Sequence, residues 1–186
     1  DKGRQLEDGG VELQYVQGET LEEKLDRLLE NGQQEQAVDE LKAFVETVRK
    51  PAEGTPFVMT EQFEEIFGKV SLPDGLESME VTDIDLICSN VILGDPVTVI
   101  DYEWCFDLPI PVSYLVYRIL HYYIHTKTDR KVLEKFDLFS WAGITPDIWP
   151  SHTRIMVSSA SFTSPNSSPP ARFTSDSRGS LKAMSR

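Results

Sequence analysis

The stretch VTDIDLICSNVILGDPVTVIDYEW, residues 81–104, decides how the rest of the chain is interpreted. Inside it, two short apolar segments flank the turn sequence GDP at 94–96, a pattern that predicts a β-hairpin. Asn90 comes directly before the first of these strands, Asp101 directly after the second, and Asp85 lies on the preceding loop. Because a hairpin brings its two ends side by side, we expect an amide oxygen and carboxylates at one place. Such a set of oxygen atoms suits a hydrated divalent cation and its phosphates.

The sequences DLICSN at 85–90 and VIDYEW at 99–104 together resemble the aminoglycoside phosphotransferase and choline kinase group of the protein-kinase-like fold. That group carries a loop of the form GDLHxxN, followed after a hairpin by IDFE or IDWE. The resemblance implies that Asp85 orients or deprotonates the hydroxyl group of the substrate. It also implies that Asn90 and Asp101 hold Mg²⁺ on the phosphates of ATP.

Residues 11–16 alternate apolar and polar side chains, which predicts a half-buried strand. A short Gly-containing link follows, and Thr20 and Glu23 then form the capping box that opens a helix. A strand, a link and a capped helix resemble the hinge between the two lobes of the kinase-like fold, although any β-turn-α unit gives the same pattern. The resemblance implies that the adenine of ATP would hydrogen-bond to the backbone of Tyr15, Val16 and Gln17.

Further helices are predicted from apolar residues at helical spacing and from capping residues. They cover residues 34–49, a short segment between Thr60 and Gly68, residues 112–125, and residues 130–139. Within the third of these, His121 and His125 lie on one helix face at a spacing that could bind zinc. The sequence HYYIH has no Glu after its first His and no obvious third ligand, which favours a packing role for both rings.

Length, charge and cysteine content bound the class of protein. The chain has 186 residues, of which 40% are hydrophobic, enough for one domain with an appendage. Its 31 acidic and 18 basic residues give a net charge of −13, which disfavours binding to nucleic acid or anionic membranes. Two cysteines without CxxC spacing and no signal-like opening segment indicate a cytoplasmic protein. No apolar run approaches the roughly 20 residues of a membrane span.

The resemblance implies three segments. Residues 1–19 correspond to the end of the small lobe and the hinge, and residues 20–150 to the large lobe. Residues 151–186 are rich in Ser, Thr and Pro without a periodic apolar pattern, so we expect a disordered tail or a segment read in a shifted frame. The predicted fold class is therefore α+β, the mainly α-helical large lobe of a protein-kinase-like fold with a short β-hairpin at the active site.

The match to the family is incomplete. Ile84 stands where the family has Gly, and Ile87-Cys88 replaces its His-Pro pair, departures that bear on activity more than on fold. No Gly-rich strand pair and no strand Lys precedes the hinge, so the small lobe is absent from this stretch. Because the chain begins at Asp1 rather than Met, we expect a piece of a longer protein, inactive on its own.

Two functions follow from the sequence. The first is ATP- and Mg²⁺-dependent transfer of phosphate, in the intact parent, to a hydroxyl group of a small molecule, sugar or glycan. The second is a non-catalytic kinase-like module attached to a bacterial glycosyltransferase or methyltransferase of surface polysaccharide synthesis. IDYEW at 100–104 followed by FDLPIP at 106–111 resembles domains found in such proteins.

Overall fold

A computed structural model of the chain describes residues 4–5, 11–12, 16–101, 104–146, 148, 151–152, 155, 173–175 and 181–183. Within them, helices supply most of the buried side chains, and the strands are short and antiparallel. The predicted α+β class is confirmed. The kinase-like fold stays a prediction.

Two short strands, β1 (Arg4–Gln5) and β2 (Val11–Glu12), pair antiparallel near the start of the chain. The strand predicted over 11–16 includes β2, but residues 13–15, with Tyr15 among them, lie outside the described residues. The chain is described continuously from Val16 onward, through the link that leads into the first helix.

The first two helices begin and pack as the sequence predicts. In α1 (Leu21–Glu30), the Thr20 hydroxyl accepts the N–H of Glu23 over 3.1 Å, and the Glu23 carboxylate accepts the N–H of Thr20 over 2.8 Å. This reciprocal pair satisfies two of the free N–H groups at the helix start. α2 (Gln34–Arg49) packs against α1. The side chains that these helices bury are Leu21, Leu25, Leu28, Ala37, Val38, Leu41, Val45 and Val48.

The short helix α3 (Glu61–Phe67) also has the predicted ends. The Thr60 hydroxyl accepts the N–H of Phe63 over 3.1 Å, and Gly68 follows the helix with a φ of +77°. A left-handed residue at this place favours Gly, because a Cβ atom would clash with the backbone. Phe63 and Phe67 are fully buried and contact each other, with ring centroids 4.9 Å apart.

Six two-residue strands between Ser78 and Pro111 form three nested antiparallel pairs. The strands are β3 (Ser78–Met79), β4 (Thr82–Asp83), β5 (Val91–Ile92), β6 (Thr98–Val99), β7 (Cys105–Phe106) and β8 (Ile110–Pro111). β5 pairs with β6, and this confirms the predicted hairpin. Around it, β4 pairs with β7, and β3 pairs with β8. The two outer pairs were not predicted, and they hold both ends of the hairpin in place.

The predicted helix over 112–125 is confirmed as α4 (Val112–Thr126), which is buried on nearly all sides. The predicted helix over 130–139 is wrong. A 3₁₀ helix spans Thr128–Phe136, Asp137 takes a left-handed conformation with a φ of +46°, and the short helix α5 (Leu138–Trp141) follows. The apolar residues there fit helical spacing, but a left-handed residue interrupts the i to i−4 hydrogen bonds of a continuous helix.

Beyond residue 150, part of the chain still contributes to the core. His152 and Ile155 are fully buried, at 0% exposure. β9 (Phe173–Ser175) pairs antiparallel with β10 (Leu181–Ala183). Apart from Ser151, the other residues of the predicted tail lie outside the described residues, so the tail stays a prediction. Among the helices that are described, none combines the length and the apolar character needed to cross a membrane.

Candidate functional site

The nested strands place the three predicted site residues in two neighbouring connections. Residues 84–90 lead from β4 into the hairpin, and residues 100–104 lead from the hairpin to β7. The two connections are hydrogen-bonded at both ends: the N–H of Ile84 donates to the carbonyl of Trp104 over 3.1 Å, and the N–H of Ile100 donates to the carbonyl of Asn90 over 2.8 Å. Asp85, Asn90 and Asp101 therefore belong to one small region.

Asp85 and Asn90 contact each other directly. The Asn90 side-chain amide donates from Nδ2 to the backbone carbonyl of Asp85 over 2.9 Å. A one-turn 3₁₀ helix, Cys88–Asn90, joins the two residues, and it packs against α1. This amide contact closes the loop, and it leaves Asn90 Oδ1 in contact with the Ser89 hydroxyl, 3.3 Å away.

Asp101 lies at the end of β6 in an unusual backbone conformation. Its φ is +58°, in the left-handed region, and its side chain is exposed. Residues other than Gly seldom adopt this region, Asp and Asn being among those that tolerate it. Strained backbone of this kind is frequent at functional sites, where the surrounding structure fixes it.

A further carboxylate, Asp83, belongs to the same region and was not predicted. Its Oδ1 accepts the backbone N–H of Asp85 over 2.9 Å. Burial raises the pKa of Asp83 to about 6, and the negative charges of Asp85 and Asp101 act in the same direction against the lowering effect of Arg118. Asp85 and Asp101 therefore both lie near enough to Asp83 to act on its charge. Asp83, Asp85, Asp101 and Asn90 are called the acidic loop site below.

Arg118 of α4 also contacts this site, and the motif did not predict it. Its Nη2 donates to Asp85 Oδ1 over 2.8 Å, and only 6% of its side chain is exposed, against 22% for Asp85. The guanidinium also lies over the Tyr122 ring, 4.9 Å from the centroid. The available sequence signal was a single Arg inside the apolar run that became α4.

The predicted hinge lies against the hairpin. Thr20 forms an isolated antiparallel β-bridge with Ile92, and the N–H of Leu93 donates to the carbonyl of Glu19 over 2.8 Å. A Cβ atom on Gly18 would come 2.5 Å from Ile92 Cγ2, so the close approach requires Gly at this position. Val16 is half-buried and Gln17 is exposed beside this contact.

The acidic loop site offers oxygen atoms, rather than thiolates, as ligands for a metal ion. Burial raises the pKa of the Cys88 thiol strongly and that of the Cys105 thiol to about 11, so neither is a thiolate at neutral pH. Within the described ranges, no group of three or more His, Cys, Asp and Glu side chains is arranged to hold a metal ion. An ion bound through Asn90 and Asp101 would therefore need phosphate or water oxygens to complete its ligands, as Mg²⁺ commonly has.

The two neighbouring histidines of α4 make packing contacts. His121 stacks on Tyr117 with centroids 5.3 Å apart, and His125 stacks on Phe139 with centroids 6.0 Å apart. Burial lowers the pKa of His121, and the neighbouring His125 and Arg118 lower it further. These contacts are of the kind that a packing role requires.

Comparisons with known proteins gave no relative: no family model matches the chain, and neither the curated proteins nor the solved structures that were searched contain a match. The functional argument therefore depends on the chemistry of the acidic loop site.

Proposed function

We propose that this chain supplies the large-lobe half of an ATP- and Mg²⁺-dependent phosphotransfer site in a longer parent protein. The observation that carries the proposal is the meeting of Asp85, Asn90 and the Asp101 end of the hairpin through two hydrogen bonds, at 2.9 and 2.8 Å. An amide oxygen and a carboxylate suit Mg²⁺ on nucleotide phosphates, and a nearby carboxylate can accept the proton of an attacking hydroxyl. The substrate would be a small molecule, sugar or glycan with a free hydroxyl group.

Asp101 provides the sharpest test of this function. In an active parent protein, Asp101→Asn should abolish turnover and weaken Mg²⁺-dependent binding of ATP, since it removes a negative charge from the metal site. The fold should survive, because Asn tolerates the left-handed backbone at this position as well as Asp does. Turnover, Mg²⁺-dependent affinity for ATP and thermal unfolding should be measured together. Parental turnover in this variant would contradict the assignment of Asp101.

Asp85→Asn separates the two roles at the site. It should lower turnover by about 10²- to 10⁴-fold through loss of the proton acceptor, so ATP affinity should be retained better than in Asp101→Asn. The isolated chain should show neither tight ATP binding nor phosphate transfer, because neither strand of the pair ahead of the predicted hinge, β1 or β2, carries a Lys that could pair with the phosphates.

A second candidate function is a non-catalytic kinase-like module, and the ion pair between Asp85 and Arg118 favours it. A carboxylate engaged at 2.8 Å by a buried guanidinium has one of its oxygens occupied before any substrate arrives. In that case an otherwise active parent would keep its activity in both the Asp85→Asn and Asp101→Asn variants, because the chemistry would belong to another domain.

A further inference from the structure

Two arginines are buried within the described part of the chain, Arg130 with 0% and Arg118 with 5% of its surface exposed. Arg130 uses every donor of its guanidinium. Nε and Nη2 bind the carboxylates of Asp26 and Glu22 at 2.7 Å, and Nη1 donates to two oxygen atoms of α4 at 3.0 and 3.1 Å. A guanidinium has five N–H groups, and five contacts are made here. A contribution to the stability of the fold is enough to explain why Arg130 is buried.

Arg118 lacks an equivalent set of partners. Nη2 binds Asp85 at 2.8 Å, Nη1 lies 3.5 Å from the Tyr114 hydroxyl, and the buried Nε has no hydrogen-bond partner among the described residues. Leaving a buried donor unused is unfavourable, and such groups call for an explanation other than stability. The only ion pair found for this guanidinium in the described residues is with the carboxylate that the proposed chemistry needs.

We propose that Arg118 is a positioning residue for Asp85, an inference that rests on the proposed phosphotransfer function. Asp83 and Asn90 hold Asp85 only through its backbone N–H and carbonyl. Arg118 binds the carboxylate itself, at Oδ1, from the buried side of α4. The side chain is thereby held in one orientation relative to the proposed metal ligands, Asn90 on the same connection and Asp101 on the neighbouring one.

Position matters in phosphoryl transfer, because the protein contributes mainly orientation and charge. A displacement of about 1 Å in a reacting group can lower a rate by about 10²-fold. We therefore expect Arg118→Met to lower kcat of the active parent protein by about 10²-fold. Affinity for Mg²⁺-ATP should be unchanged, because Asn90 and Asp101 remain. Arg118→Lys should recover part of kcat, since Lys keeps the charge but not the planar fork.

A combined variant separates positioning from loss of structure. In the Asp85→Asn background, Arg118→Met should cause no further loss of turnover, because its effect passes through Asp85. Additive losses would overturn the proposal. Ile119→Val is the matched control: this neighbouring residue of α4 is fully buried, and the change removes one methylene group from the core. It should lower thermal stability while leaving kcat at the parental value.

The outcomes distinguish this inference from the proposed function. A parent that neither binds Mg²⁺-ATP nor transfers phosphate overturns both. A parent that Asp101→Asn inactivates, but whose kcat is unchanged by Arg118→Met, overturns the positioning role alone. A kcat loss in Arg118→Met that the Ile119→Val control reproduces at equal thermal stability also overturns it, because the effect would then be structural.

Discussion

At the scale of single residues, the burial of Asp83 works against the stability of the folded chain at neutral pH. Its pKa rises from 3.8 to about 6 in the folded chain, mainly through burial. A carboxyl whose folded pKa is raised contributes stability that is present below pH 3.8 and lost as the pH rises through about 6. At pH 7 the charged Asp83 is therefore destabilising. Its place at the acidic loop site is consistent with a functional constraint on this carboxylate.

Asp83→Asn should therefore stabilise the chain at pH 7. The amide oxygen can still accept the N–H of Asp85, while the buried charge is removed. Since the shift is about two pKa units on a group that is not fully buried, we expect a gain of about 1–2 kcal/mol. Chemical denaturation from pH 4 to pH 8 measures it, and the gain should disappear toward pH 4. The exposed Asp39 of α2 provides the control, Asp39→Asn. A gain that is independent of pH would contradict the burial argument.

The residues of the site differ in how far the sequence could identify them. The nearness of Asp85, Asn90 and the Asp101 end of the hairpin was predictable, because one local hairpin brings these positions together and short-range spacing records that. Arg118 contacts Asp85 from α4, which begins only after the hairpin and the strands β7 and β8, so no local sequence pattern connects the two residues. Asp83 was missed because its importance lies in its burial, which depends on tertiary packing.

At the scale of secondary structure, capping residues and helical periodicity predicted α1, α2, α3 and α4 well. The outer strand pairs were not predictable in the same way. Two-residue strands are too short to show alternation, and their partners lie far along the chain. These pairs nevertheless set the position of the loop at residues 84–90 relative to the hairpin. The elements that are hardest to predict from the sequence therefore position the acidic loop site.

The contact between the link at Gly18 and the β5–β6 hairpin provides a test at this scale. Gly18→Ala would place a methyl group 2.5 Å from Ile92 Cγ2 and 3.2 Å from the Leu93 carbonyl. Because Ile92 is itself buried, the link at Gly18 has to move, and we expect a loss of about 1–3 kcal/mol. Thermal and chemical unfolding measure the loss. In an Ile92→Ala background the methyl group has room, so the same substitution should have a smaller effect. Equal losses in both backgrounds would show that the two side chains are not in contact.

At the scale of the whole molecule, the charged network around Arg130 joins elements that are distant in sequence. Arg130 lies in the 3₁₀ helix and binds Asp26 and Glu22 of α1. Tyr123 of α4 donates to Asp26 over 3.1 Å, and its ring packs against the Arg130 guanidinium. Burial of Asp26 would raise its pKa, but hydrogen bonds from Arg130 and Lys127 outweigh that effect and lower it. The α+β class was predictable from the elements, whereas this connection between them was not, because it joins residues about one hundred positions apart.

Arg130→Met should consequently destabilise the whole chain. It leaves Asp26 and Glu22 without their buried partner, and removing one member of a buried ion pair costs about 3–5 kcal/mol. We expect about 3 kcal/mol, the lower end of that range. Lys127 remains 2.8 Å from Asp26 and compensates part of the charge. Guanidinium denaturation measures the loss, and the Asp26→Asn substitution should reduce it by removing the unpaired carboxylate. A full loss of 3 kcal/mol in that double variant would show that Arg130 acts through packing on Tyr123 rather than through charge.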